Sequence, residues 1–329
     1  MKALVYTGTQ ELIYRDEANP SEAKGESILK VHASGICGSD MHAFLGHDDR
    51  RPAPLILGHE AAGLIIEGKN AGKRVTVNPL VSCGACPACT KGRNNICPNR
   101  ELISIPPRQG AFAEYLVIPE LNTLVVPENV NINHAALTEP LACGWHAVKL
   151  GVSAMDVSLS DARCLIIGGG AIGVGVNLAL MAKGAKDVTI VDSNPLRHQM
   201  LVENFGKNTS VVDKIGSNLD FDFIIDAVGY SKTREMACSL CKPGGVIAHI
   251  GLGDGIGGLD VRRMTLQEIT FIGTYTYTPL DFEETAQAIF NSQMGDFSWI
   301  EERPLDQGHK AFKDILAGNV AASKVVLRP

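Results

Sequence analysis

Over residues 1–135, apolar and polar positions alternate in short runs separated by turns that contain Gly and Pro. Ser27-Ile28-Leu29-Lys30-Val31 and Lys73-Arg74-Val75-Thr76-Val77 are two such runs. A period of two marks strands with one buried face, so this part of the chain is predicted to be β-rich. Met1-Lys2-Ala3-Leu4-Val5-Tyr6 reads as an opening strand, and residues 50–54 read as a loop.

The pattern changes beyond residue 150. Arg163-Cys164-Leu165-Ile166-Ile167 is a short apolar strand, followed by a glycine-rich turn over residues 168–173. Val174 to Lys183 is apolar with helical spacing, and Gly184 is its stop signal. Asp187 to Asp192 is a second strand. Asn194 and Pro195 are the cap and first position of a helix that runs to Phe205 and closes at Gly206. Phe221–Asp226 and Val246–Ile250 are further buried strands with a helix between them. This β-α-β alternation implies a parallel, doubly wound sheet. After Phe271-Ile272-Gly273 come an amphipathic helix, Phe282 to Phe290, and a closing strand, Lys324 to Leu327. That tail is too short to hold its own core and is expected to rejoin the N-terminal part. The expected fold class is α/β. One domain is formed by residues 1–145 and 275–329, with a lobe near 80–100, and the other by residues 146–274.

A length of 329 residues suits two cores. The chain is 45% hydrophobic and 20% charged, as in ordinary globular proteins, and its net charge of −6 argues against a nucleic-acid surface. No apolar run reaches the roughly 18–20 residues of a membrane span, and the first residues lack the layout of a secretion signal. Of nine cysteines, four crowd between Cys83 and Cys97. Such crowding indicates a metal site rather than a disulfide framework, and a cytoplasmic location is expected. Cys164, Cys238 and Cys241 read as small buried apolar residues.

Gly168, Gly170 and Gly173, with Ile172 among them, fit G-x-G-x-x-G between a strand and a helix. Such glycines allow a tight turn and bring a pyrophosphate to the helix N-terminus, where free N–H groups and the dipole favour an anion. Asp192 ends the next strand. Its carboxylate can accept from both ribose hydroxyls and would repel a 2′-phosphate, which points to NAD. Arg197 nearby could accept that phosphate and weakens the preference. Cys83-x2-Cys86-x2-Cys89-x7-Cys97 has the spacing of a closed, tetrahedral structural zinc site. A second centre is expected from Gly35-Ile36-Cys37-Gly38-Ser39-Asp40-Met41-His42 read with Gly58-His59-Glu60. Cys37 and His59 supply two zinc ligands there, and Ser39 and His42 can carry a proton away from a bound alcohol. The candidates for a third ligand are Glu60, Glu139 and Cys143. Adjacent side chains on an extended backbone point apart, which disfavours Glu60 beside His59. Glu139 is preferred, with Glu60 as a group that tunes the metal.

These motifs resemble the zinc-containing medium-chain alcohol dehydrogenase family over essentially the whole chain. The resemblance implies an N-terminal domain resembling a GroES-like barrel, a Rossmann domain, and an active site in the cleft between them. Where the alcohol-oxidising subgroup has a cysteine as third ligand, this chain has Glu139-Pro140-Leu141, which looks like the polyol branch of sorbitol, idonate, galactitol-phosphate and threonine dehydrogenases. By that resemblance Cys37, His59 and Glu139 surround the catalytic zinc with Glu60 close by, and Ser39 and His42 match the proton relay. Relatives imply a homodimer or homotetramer. The family usually places a small residue where Lys69 stands, and the 67–73 segment is shorter than usual; both read as a trimmed surface turn. The implied reaction is reversible oxidation of a secondary alcohol, on a polyol or sugar-derived substrate, with NAD. The rivals are an L-threonine or simple alcohol dehydrogenase of the same fold, and an NAD- and zinc-binding protein without turnover.

Overall fold

In the computed structural model, residues 1–21, 24–216 and 219–329 are described. The alternating N-terminal runs build a largely antiparallel sheet. Its strand order is Thr123–Val125, Arg74–Val77, Glu60–Glu67, Glu26–Gly35, Lys324–Arg328 and Ile300–Pro304, with Tyr115–Pro119 also paired to Glu26–Gly35. The last strand of the chain therefore lies beside the third, antiparallel, with Val326 opposite Gly35 and Leu327 opposite Ser34. Lys2–Gly8, Glu11–Asp16 and Leu55–Ile56 form a smaller sheet beside it.

Six strands form the second large sheet, every pair parallel, in the order Ser210–Val212, Asp187–Val191, Arg163–Ile167, Phe221–Asp226, Cys241–His249, Thr270–Gly273. The order reverses between Arg163–Ile167 and Phe221–Asp226. Open parallel sheets bind ligands at the carboxyl ends of strands that flank such a reversal. Gly168 and Ala227 sit there.

Two helices begin earlier than the apolar spacing predicts. The helix after the glycine turn is Ala171–Ala182, with Gly170 as its N-cap, so its free N–H groups open directly onto the turn. The later helix is Pro279–Phe290. Thr278 caps it and exchanges side-chain and backbone hydrogen bonds with Asp281, a start signal that counting apolar residues alone misses. Helix Thr138–Val152 runs unbroken across residues 145 and 146. It packs closely on Ala171–Ala182, because a Cβ on Gly144 would come within 2.6 Å of the Gly175 backbone. One core runs through this seam, from Ala33 and Ala62 through Leu141 and Val148 to Ile166, Ala286 and Trp299. The helix that carries Glu139 is thus fixed against both large sheets.

Candidate active site and metal centres

Cys37 lies two residues beyond the long strand Glu26–Gly35 and serves as N-cap of helix Gly38–Phe44. Gly35 pairs with Glu60 across the sheet, and a Cβ at Gly35 would fall 1.9 Å from Glu60 Oε2. Glycine there makes the space that the carboxylate occupies. The donor atoms of Cys37, His59 and Glu60 all lie within 4.8 Å of one another. This corrects the expectation that Glu60 faces away from His59. His59 follows Gly58, which has φ +88°, and lies outside the strand that begins at Glu60. Strand alternation therefore does not separate the two side chains.

The trio has the chemistry of a cation site. His59 Nδ1 and Glu60 Oε2 are buried and have no hydrogen-bond partner, and an orphaned buried polar atom costs roughly 1–3 kcal/mol. Burial alone would disfavour an imidazolium, yet the charges of Asp40 and Cys37 hold the His59 pKa well above its ordinary value. A dication would relieve the same negative potential. A thiolate and a carboxylate also match its double charge. Asp40 is fully buried and accepts from the N–H groups of Cys37 (3.0 Å) and Gly58 (3.1 Å). Its Oδ1 lies 3.7 Å from His59 Nδ1, beyond hydrogen-bond reach but close enough for its charge to act on the imidazole. Lys324, 264 residues along the chain from Glu60, donates to Glu60 Oε1 at 2.5 Å and to the Ile36 carbonyl at 2.9 Å. Both partners of the ion pair are buried, with side-chain exposures of 2% and 0%. Lys324 therefore occupies one carboxylate oxygen of Glu60 and leaves the other free.

Glu139, the preferred third ligand from sequence, lies outside this trio. Its Oε1 accepts from the Tyr277 hydroxyl at 2.9 Å. Burial pushes its pKa up to about 7 against the opposing charge of His59, with Glu60 adding to the rise. Burial, and then the Glu139 charge, holds the Tyr277 phenol well above its usual pKa, so it is the donor. Cys143 is also raised well above the ordinary thiol value, by burial and then by Glu139, and it too lies outside the trio.

Ser39 and His42 lie three residues apart in Gly38–Phe44 and share a helix face. Both are half-buried. Part of the nucleotide candidate set shares a cleft with Cys37 of the trio. A cavity of about 220 Å³ is lined by Cys37, Met41, Gly170, Ile172, Arg197 and Lys324, among others. Gly168 has φ +94°, and a Cβ on Gly173 would meet the Gly168 carbonyl at 1.8 Å, so the turn can close only on glycine. Asp192 accepts from the N–H of Gly169 (2.7 Å, Oδ2) and of Asn194 (2.8 Å, Oδ1). A carboxylate has about four acceptor sites, so two remain for ribose hydroxyls. Arg197 lines the cleft with its Nε unpartnered. Ser323 donates to the Gly169 carbonyl at 2.6 Å and ties the C-terminal segment to the same turn.

In the lobe, Cys83, Cys86, Cys89 and Cys97 have all sulfurs within 4.8 Å of one another. The backbone N–H groups of Ala85 and Cys86 hold the Cys83 thiol down to about 6, favouring the thiolate that a zinc ligand must be.

Sequence reasoning missed the roles of Asp40, Lys324 and Tyr277. Only Asp40 left a signal, three residues after Cys37 at the start of a helix, where an acid caps the backbone. Lys324 and Tyr277 are brought in by folding from distant sequence.

Known proteins resemble this chain in sequence and fold. Residues 23–128 match the family profile of the alcohol dehydrogenase GroES-like domain, and residues 171–291 that of zinc-binding dehydrogenase. The L-galactonate-5-dehydrogenase of Escherichia coli is 30% identical over 87% of this chain and 86% of its own. Galactitol-1-phosphate dehydrogenase from Escherichia coli superposes with a TM-score of 0.88 at 25% identity, over 100% of both chains. A zinc-binding dehydrogenase from Sinorhizobium meliloti, solved bound to NADP, gives 0.86 at 26% identity over 100% of this chain and 99% of its own.

Proposed function

We propose that this chain, which belongs to the zinc-binding alcohol dehydrogenase family, oxidises a secondary alcohol of a polyol or sugar-derived substrate reversibly, with NAD as hydride acceptor. The observation that carries the reading is the shared cleft: Cys37, whose sulfur clusters with the His59 and Glu60 donors, lines the same cavity as Gly170 and Ile172 of the glycine turn. The sugar-acid and polyol-phosphate specificities in the names of the two Escherichia coli relatives support the substrate class.

Cys37, His59 and Glu60 hold the catalytic zinc, Asp40 acts on His59 through its charge, and Glu139 faces the centre from the opposing helix. Bound zinc supplies Lewis acidity that makes a substrate hydroxyl easier to deprotonate, and bound NAD accepts hydride. Ser39 takes the hydroxyl proton and His42, further along the same helix face, moves it toward solvent. Gly168, Gly170, Ile172 and Gly173 present the helix N-terminus to the pyrophosphate. Asp192 binds the ribose hydroxyls and disfavours a 2′-phosphate, with Arg197 at the cleft wall. Cys83, Cys86, Cys89 and Cys97 hold a structural zinc. Residues 1–145 with 275–329 act as the catalytic domain and 146–274 as the nucleotide domain.

All nine cysteines are free, which supports a reducing compartment, the cytoplasm. No helix among the described residues is long and apolar enough to cross a membrane. The protein assembles as a homodimer or homotetramer. Thr270–Gly273 is an edge strand of the parallel sheet, and Leu252, 74% exposed, Ile256 and Val261 lie bare in the segment before it. An unpaired edge with apolar neighbours favours pairing with a second copy.

The test is reduced-cofactor formation by the zinc-loaded protein against polyols, sugar acids, simple alcohols and L-threonine, with NAD and NADP in parallel. Turnover of a polyol or sugar acid with NAD is expected. Turnover confined to simple alcohols or L-threonine would overturn the substrate class, and preference for NADP would overturn the role given to Asp192.

A further inference from the structure

Residues 275–277 link the four-cysteine lobe to the catalytic centre. On the lobe side, Asn95 lies within the cysteine cluster and is only 3% exposed. Its Nδ2 donates to the Tyr275 carbonyl at 2.8 Å, across 180 residues of chain. The Arg100 guanidinium sits 4.9 Å from the centre of the Tyr275 ring, and its Nη1 donates to the Cys97 carbonyl at 2.8 Å. On the active-site side, the next-but-one residue is Tyr277, whose hydroxyl holds Glu139. Between them Thr276 has φ +46°, and it is the one β-branched residue with positive φ among the described residues. Its Oγ1 is buried without a partner. A β-branched residue in the left-handed region carries about 1–3 kcal/mol of strain and persists only where its surroundings fix it. The strained residue thus lies between a contact to the lobe and a contact to Glu139.

We infer that this segment is a clasp: the four-cysteine lobe, through Asn95, sets the position of Tyr277, and Tyr277 is a positioning residue for Glu139 beside the catalytic metal. The lobe then acts on the active site as well as on stability. The inference rests on the metal assignment proposed above. Glu139 lies near enough to His59, Glu60 and Lys324 for their charges to act on it. Releasing its carboxylate should therefore loosen the grip of the trio on a dication.

The experiment uses the full-length zinc-loaded protein and follows zinc release to a chelator, resolving two phases, one per site. Tyr277→Phe, which keeps the ring, should speed release of the catalytic-site zinc about tenfold and leave the lobe phase unchanged. Asn95→Ala should likewise speed release of the catalytic-site zinc, whatever its effect on the lobe phase, with Asn95→Asp as a second variant if the first folds poorly. The double variant Asn95→Ala/Tyr277→Phe should release catalytic zinc no faster than either single variant, because both cut one linkage. Thr276→Gly relieves the strain and removes the orphan hydroxyl. It should hold or raise the thermal midpoint while still speeding release, a pairing that a merely structural role would not give. Effects that multiply in the double variant, or an unchanged catalytic phase in Asn95→Ala, would overturn the clasp. A wild-type protein with one zinc per chain would overturn the metal assignment instead.

Discussion

The two donor clusters are built in opposite ways. The lobe draws four like donors from one short stretch, and its sulfurs all lie within 4.8 Å of one another. The catalytic trio draws a thiol, an imidazole and a carboxylate from two separate stretches. It then adds Asp40 beneath the imidazole, Lys324 from the last strand and Glu139 from an unrelated helix. The lobe's donor set is four thiols, one of the sets that closed structural zinc sites use. The trio keeps unpartnered buried atoms, and its supports come from every part of the chain. A centre that must hold metal, admit substrate and meet a nucleotide needs that mixed and distant set.

The largest effect should come from a group in the relay that is not a metal donor. Ser39→Ala is expected to lower kcat by about 10²–10⁴-fold while zinc content stays at two per chain, as read by metal analysis beside steady-state kinetics. Full activity across pH would remove Ser39 from the proton path.

Next comes the seam between helices Thr138–Val152 and Pro279–Phe290. Asp281 is buried and accepts from Thr278 (2.6 Å) and Lys149 (2.8 Å), with His146 Nδ1 at 2.7 Å. Burial alone would raise its pKa, but hydrogen bonds from His146, Lys149 and Thr278 outweigh it and hold the carboxyl below its usual range. A depressed folded-state pKa gives stability that is present above the unfolded aspartate pKa of about 3.9 and lost as pH falls through the folded value. Asp281→Asn should cost roughly 2–3 kcal/mol near neutral pH. Denaturant titrations should show that gap narrowing only in acid, below pH of about 4. A gap that is constant down to strong acid would mean that the charge plays no part.

The smallest of the three effects separates the clusters directly. Asp40→Asn should weaken metal binding at the trio by about 10–100-fold and leave the lobe unchanged in a chelator competition. Equal weakening at both sites would mean that Asp40 serves overall folding and not His59.

These differences also explain what the sequence makes legible. The lobe, the glycine turn and Asp192 are local patterns, and their spacing carries the geometry. The parallel sheet is likewise written in consecutive apolar strands, and helix 195–205 is found where its Asn-Pro start and Gly stop place it. The third donor is a different kind of problem. Strand alternation is a rule about regular backbone, and it fails at His59, which lies just before the strand where Gly58 turns the chain. Glu139 has the right chemistry, but which oxygen faces what depends on Tyr277, 138 residues away. Lys324 reads as an ordinary end-of-strand lysine until the last strand is laid beside the third.

Anomalous diffraction at the zinc edge from crystals of the zinc-loaded protein tests the assembled site most directly. Two peaks per chain are expected, one among the four lobe sulfurs and one bonded by Cys37, His59 and Glu60, with Glu139 held on Tyr277. A second peak bonded by Cys37, His59 and Glu139, with Glu60 left on Lys324, would contradict the donor set, and a lobe peak alone would contradict the site itself.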